Sequence, residues 1–128
     1  DLDGFKAIND QYGHDAGDEL LRILAQRIVS TVRRTDTVAR LAGDEFVVLL
    51  DMLTACDDAI EVARKLLAVL SEPFALQAAT VQLSGSIGIA MHEPGSSEQA
   101  DTLLGRADGA MYEAKKGGKS RFALAQPA

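Results

Sequence analysis

The stretch Arg40-Leu41-Ala42-Gly43-Asp44-Glu45-Phe46 decides how the rest of the chain reads. To its left stands Thr37-Val38-Ala39-Arg40-Leu41, and to its right Glu45-Phe46-Val47-Val48-Leu49-Leu50. Both flanks read as β-strands, and the second is apolar enough to be buried on both faces. Gly43 permits a tight turn and leaves room for a ligand to approach the backbone. Asp44 and Glu45, adjacent at the tip of a hairpin, repel each other and gain from a bound cation. Hard oxygen ligands favour Mg²⁺ or Mn²⁺ over zinc.

Upstream of the hairpin, Asp1-Leu2 reads as the end of a strand and Gly4 to Tyr12 as a short helix carrying Phe5, Ile8 and Tyr12 on one side. Asp15 is placed to cap a second helix, Ala16 to Val32, whose Leu20, Leu21, Leu24, Ile28 and Val32 recur at helical spacing. Arg33 to Asp36 is a charged loop. Downstream, Thr54 and Asp57 resemble a capping box that opens a helix to about Leu70, with a stripe of Ile60, Ala63, Leu67 and Leu70. Phe74-Ala75-Leu76 is a short strand, and Val81 to Met91 alternates as a longer one. A helix spans about Gln99 to Lys116, with Leu103, Leu104, Ala107 and Ala114 inward, and Gly117-Gly118 ends it. Lys119 to Leu124 is the last strand. The order β-α-α-β-β-α-β-β-α-β predicts an α+β sandwich with a mostly antiparallel sheet.

At 128 residues the chain suits one domain with a single core, and its 47% hydrophobic, 25% charged composition is that of an ordinary globular protein. A formal charge of -6 argues against a duplex-DNA partner, which usually leaves a basic footprint. It leaves room for a nucleotide held by a metal and a few local cations. One cysteine, Cys56, forbids an intrachain disulfide and fits a reducing, cytoplasmic setting, and it reads as a helix residue rather than a nucleophile. No apolar run reaches the length of a membrane span. The chain opens on Asp1-Leu2-Asp3 with no Met, and is expected to begin partway through a strand as a fragment of a longer protein.

Several other groups have types suited to nucleotide chemistry. Asp1 and Asp3 end a strand, and beside an acidic hairpin tip they would complete a two-metal site. Asn9, His14 and Asp18 cluster at a helix-helix corner. A carboxylate there can accept from guanine N1-H and the 2-amino group, while an amide pairs with N7 or O6. Lys115, Lys116 and Lys119 flank a helix end and a Gly-Gly turn. They suit the negative end of the helix dipole, or a clamp on phosphate oxygens that Lys6 would join. Arg33 and Asp36 form an Arg-x-x-Asp before the hairpin, and an arginine can grip phosphate or guanine bidentately.

Together these positions resemble the GGDEF family of diguanylate cyclases. The resemblance rests on Asp1 to Asp10, Gly13 to Asp18 and Arg40 to Phe46. It continues through Ser86 to Ala90 and Ala107 to Lys115 and so covers nearly the whole chain in order. It implies a central five-stranded sheet flanked by helices, related to adenylyl cyclase domains and polymerase palms, with a ferredoxin-like core. It also implies a reaction: two GTP condense to cyclic di-GMP, releasing two pyrophosphates. By position, the family's metal ligands fall on Asp1, the Leu2 carbonyl and Asp44, with Glu45 supporting the metal or the 3′-hydroxyl. The guanine contacts fall on Asn9 and Asp18 with His14 beside the nucleotide. Triphosphate contacts fall on Lys115 and Lys119, plausibly joined by Lys6, and Gly43 lies against the substrate. Arg33 and Asp36 fall on a product-inhibition site for cyclic di-GMP. One GTP per domain implies a homodimer.

Two features depart from the family pattern. Ala42 replaces the signature's first glycine. If that position needs φ > 0, its Cβ costs on the order of 1–2 kcal/mol; if φ is ordinary, the methyl only narrows the space beside the α-phosphate. Family members also carry a turn and helix ahead of the position matched by Asp1. The charged set is complete, so the expectation is retained cyclase activity. The other readings are a non-catalytic domain that binds GTP or cyclic di-GMP to regulate an attached partner, and a dimerisation module.

Overall fold

The computed structural model describes residues 1–51 and 55–126. Among them the elements run β1 (Leu2–Asp3), α1 (Phe5–Tyr12), α2 (His14–Thr31), β2 (Thr37–Ala42), β3 (Glu45–Leu49) and α3 (Cys56–Leu70). They continue as β4 (Phe74–Ala75), β5 (Thr80–Val81), β6 (Ser84–Ile89), α4 (Ala100–Lys116) and β7 (Arg121–Leu124). Three sheets result: β1-β6-β7, the β2-β3 hairpin, and the small β4-β5 pair. Every pairing is antiparallel except β6 with β7, which α4 joins as a crossover helix must.

This α+β architecture differs from the expected five-stranded central sheet. β1 contributes only Leu2 and Asp3, which pair with Gly85 and Ser84. That is too little strand to carry a second ladder to the hairpin, so β2-β3 stands as its own two-stranded sheet. For the same reason β3 is not buried on both faces. Val38, Phe46 and Val48 pack on the core, while Leu49 is 58% exposed. The predicted strand from Val81 to Met91 is two strands. Val81 pairs with Phe74 and Ser84 to Ile89 serves β1 and β7, so the chain changes partners at Gln82-Leu83.

Helix boundaries shift less. Gly13 ends α1 and caps α2, so Asp15 lies in the first turn rather than at the cap. The capping box at Thr54 lies outside the described residues; at Cys56 the helix opens with Asp58 Oδ2 accepting from the Ala55 N–H at 3.2 Å. The inward stripe of α3 is Ala59, Ala63, Leu66 and Leu70, one position off the predicted phase at two of its four members. In α4, Leu104 is exposed and Ala110 takes the inward place beside Ala114. Gly88 explains why small residues face inward there. A Cβ on it would lie 1.9 Å from the Ala107 carbonyl oxygen, so α4 rests directly on β6.

The core gathers α2, α3 and the β4-β5 pair around Leu20 and Phe74, both fully buried. Burying one such side chain stabilises the fold by roughly 1.5–3 kcal/mol. Arg27 ties these layers together. Its Nη1 donates to the carbonyls of Val69 (3.2 Å) and Glu72 (2.9 Å), and its Nη2 to that of Pro73 (2.6 Å). Its guanidinium also lies 4.0 Å from the Phe74 ring centroid. It therefore binds three carbonyls at and just beyond the end of α3 and covers the central aromatic. Arg27→Ala is expected to lower unfolding free energy by about 1–3 kcal/mol. Arg27→Lys should recover less than half, because an ammonium cannot fork to three carbonyls; urea unfolding measures both.

Candidate active site

The site is assembled at the start of β6. Asp1 exchanges backbone hydrogen bonds with Ser86, at 2.9 Å into the Asp1 carbonyl and 3.2 Å from its amino group. In an antiparallel ladder the next residue turns its polar groups to the other edge, so the Leu2 carbonyl faces away from β6. β7 pairs in parallel on the far side, Ser86 opposite Arg121. The end of α4 that feeds β7 is thereby delivered to the same place. Lys115 Nζ lies 2.6 Å from Asp1 Oδ2, with both side chains partly shielded from solvent.

The hairpin tip shares this neighbourhood. Asp44 and Glu45 act electrostatically on the backbone start of β1, as do Lys115 and Asp3. Asp44 and Glu45 are half-buried on the tip. Their turn is held by Arg40, whose Nε donates to the Gly43 carbonyl at 2.7 Å. Gly43 carries the turn's positive φ, +50°, while Ala42 lies in β2 with ordinary φ. A methyl at position 42 therefore costs no backbone strain. Leu41 is the extra residue of a bulge between Arg40 and Ala42.

Between α2 and the hairpin runs a cleft of about 460 Å³ lined by Asp18, Leu21, Arg22, Ala25, Arg40 and Phe46. Asp18 is one of its lining residues. Arg22 and Arg40 line the same cleft and were not singled out as candidates from the sequence. Arg22 stands four residues after Asp18 and so on the same helix face, which the sequence does carry as a signal. Asn9 lies across α1 against α2, and its Oδ1 is buried without a hydrogen-bond partner. A Cβ at Gly17 would fall 1.8 Å from that oxygen, so only glycine lets the amide sit there. His14 opens α2 and is exposed, as are Lys6 on α1 and Lys119 beyond α4.

Two predicted groups lie elsewhere. Asp3 turns inward: Ser84 and Ser86 hydroxyls and the Ser120 N–H donate to it. It is unavailable as a second metal carboxylate. Arg33 and Asp36 stand at the base of the hairpin, with Asp36 seven residues before Gly43 at the tip, roughly 23 Å along the strand. Asp36 accepts from the backbone N–H groups of Arg33 (2.9 Å) and Asp51 (3.2 Å) and pairs with the Arg33 guanidinium, which also donates to the Asp51 carbonyl.

Among the described residues no three His, Cys, Asp or Glu side chains are arranged to hold a metal by themselves. The donors present are hard oxygens: Asp1, the Leu2 carbonyl and the acidic tip. Such a partial set fits Mg²⁺, which keeps waters and takes one or two carboxylates plus substrate phosphates. It does not fit a closed zinc site.

The family model "Diguanylate cyclase, GGDEF domain" matches residues 1–121. The chain belongs to the GGDEF family. It is 47% identical over 122 residues to the bifunctional diguanylate cyclase/cyclic di-GMP phosphodiesterase MucR of Pseudomonas aeruginosa, covering 95% of this chain and 18% of MucR. It is 45% identical over 130 residues to the diguanylate cyclase TpbB of the same species, covering 98% of this chain and 29% of TpbB. The crystal structure of the TpbB GGDEF domain superposes with a TM-score of 0.93 at 43% identity, over 100% of this chain and 80% of that one. The GGDEF domain of DgcB from Caulobacter crescentus, solved in complex with c-di-GMP, gives 0.83 at 27% identity, over 97% and 73%. The chain spans less than a third of the length of these two curated relatives. No helix among the described residues is long and apolar enough to cross a membrane.

The Asp36 network has an acid signature. Burial raises its pKa, but the N–H groups of Arg33 and Asp51 and the Arg33 guanidinium together hold it below its ordinary 3.8. A carboxylate depressed in the folded state stabilises the fold above its unfolded value and loses that contribution as pH falls through the folded one. Stability against urea should therefore steepen in its decline below about pH 4. Asp36→Asn should start lower at pH 7 and decline less.

Proposed function

We propose that this chain is a catalytic diguanylate cyclase domain that condenses two GTP into cyclic di-GMP. The observation that carries this reading is the 2.6 Å approach of Lys115 to Asp1, within electrostatic reach of Asp44 and Glu45. Phosphoryl transfer asks a protein chiefly for positioning and charge neutralisation, and this junction offers both carboxylates and a cation. In each half-reaction the 3′-hydroxyl of one GTP attacks the α-phosphorus of the other. The O–H proton is lost, the bond to the β-phosphate bridging oxygen breaks, and pyrophosphate leaves.

Asp1, the Leu2 carbonyl and Asp44 are the groups that would hold Mg²⁺, the metal diguanylate cyclases of this family generally use, or Mn²⁺; Glu45 supports it or the 3′-hydroxyl. When bound, the metal lowers the hydroxyl's pKa and steadies the leaving group. Lys115 and Lys119, with Lys6, grip the triphosphate, and Gly43 lets it approach the tip. Asp18 in the cleft accepts from the guanine N1–H and 2-amino edge. Asn9, whose Oδ1 is buried against Gly17, offers its amide NH2 to guanine N7 or O6. His14 stands beside the base. Each domain holds one GTP, so catalysis requires a homodimer with two such faces opposed.

The non-catalytic reading rested on Ala42, and the ordinary φ there removes its backbone argument. The reaction is tested by pyrophosphate release from GTP and Mg²⁺ by the purified full chain. Activity should fall at least about 100-fold in Asp44→Ala. A wild-type rate no higher than that variant's would overturn the reading. Cyclic di-GMP, the ligand found with DgcB, is proposed to bind at Arg33 and Asp36 and suppress turnover. Arg33→Ala should relieve this product inhibition, and a variant inhibited as strongly as wild type would count against the site.

A further inference from the structure

Asp3 takes no part in the chemistry above, yet its side chain is one of the few buried polar groups, at 8% exposure. It accepts from Ser84 Oγ at 2.7 Å, Ser86 Oγ at 2.8 Å and the Ser120 backbone N–H at 3.2 Å. The first two belong to β6; the third belongs to the turn between α4 and β7. That turn is strained. Gly118, Lys119 and Ser120 have φ of 124°, 64° and 48° in succession. Lys119 and Ser120 are the only non-glycine residues with positive φ among those described. Left-handed backbone at a residue with a Cβ is costly and persists only where its surroundings over-determine it. Within the turn, the Gly118 N–H is used by the Lys115 carbonyl (3.3 Å) and the Lys119 N–H by that of Ala114 (3.1 Å). Ser120 N–H is left, and Asp3 takes it.

We propose that Asp3 is a positioning residue for the triphosphate: its buried carboxylate pins the strained Gly118–Ser120 turn to β1 and β6, and so fixes where Lys115 and Lys119 stand relative to Asp1. The inference rests on the proposed GTP site and adds a residue that touches no substrate. The sequence hides this role, since Asp3 reads there as a second metal carboxylate.

The test compares affinity for GTP with that for guanosine, in Mg²⁺, by calorimetry on the full chain. Their ratio isolates the phosphate contacts from the base contacts. Asp3→Ala removes every acceptor. Asp3→Glu keeps the charge but lengthens the side chain, shifting the turn. Asp3→Asn keeps the length and an acceptor for Ser120. The GTP-to-guanosine ratio should fall roughly 10- to 100-fold in the Ala and Glu variants, while guanosine affinity holds and Asn retains most of the wild-type ratio. A merely structural role would lower the melting temperature and leave the ratio unmoved. Folded Ala or Glu variants with the wild-type ratio would overturn the proposal. Should the Ala variant fail to fold, the contrast between Glu and Asn decides. Wild type that binds GTP no better than guanosine would overturn the proposed function and this inference with it; good GTP binding with unchanged variants would overturn only the latter.

Discussion

Asp1 and Lys115 meet because β6 has one partner on each edge, and the two partners run in opposite senses. β1 is antiparallel to it and β7 parallel. The first residues of β6 therefore face the end of β1 and the start of β7, and β1 is so short that Asp1 comes to the same end of the sheet. A parallel neighbour must be reached by a crossover helix, and that helix necessarily ends where its strand begins. The basic last turn of α4 is carried to the acidic end of β1 by topology, before any side chain chooses a partner. The carboxylates of the hairpin then need only lean over the same end, which the packing of Phe46 and Val48 on the core allows.

Such a junction requires α4 to be held at both of its ends. Near its start, Arg106 makes two 2.7 Å bonds to Glu98 and donates to the carbonyls of Met91 and Gln126, both at 2.8 Å. This clamp ties the far ends of β6 and β7 to the helix. In between, Gly88 lets α4 lie directly on β6. At the near end, the turn after Lys116 adopts left-handed backbone at two residues with side chains. Strain of that kind is tolerated where function needs a fixed geometry. The apolar packing of the helix is thus modest, Ala110 and Ala114 being its buried residues, and polar clamps set its register.

The residue types and their order made most of this architecture legible. Helix existence and phase followed from the apolar spacing of Leu20, Leu24 and Ile28 in α2, which the structure buries. What the sequence concealed was pairing. Val81 and Ile87 obey one alternation, yet they belong to strands with different partners, since period two cannot say which neighbour a strand has. Ser84 and Ser86 fall on the polar face of that alternation. Ser86 is in fact fully buried, because its hydroxyl and a carboxylate from a strand eighty residues away satisfy each other. Arg27 was invisible for a similar reason: its partners are carbonyls, which every residue has. At the site, the acidic tip, Asp18 and Lys115 were readable as chemistry. Arg40's hold on Gly43, and the ordinary backbone at Ala42, needed coordinates.

Magnitudes bear on why Lys115 rests on Asp1. Both groups are partly solvated, and such a pair is worth at most about 1 kcal/mol to the fold. Stability alone gives little reason to build it. A bond from a lysine to a phosphate oxygen is charge-assisted in the same way, so exchanging Asp1 for a triphosphate costs the lysine little. That exchange would strand an acid among Asp44 and Glu45 unless a cation arrived with the nucleotide. Under the proposed function, a triphosphate that brings its own divalent ion would meet both needs at once: its oxygens would take the lysine, and its metal the carboxylate. The pair would then keep the two halves of the site apart in charge and together in space until a ligand of that kind separated them. A free triphosphate without its metal would satisfy only one half, which on a chain of net charge -6 is a physical reason to expect preference for the complexed nucleotide.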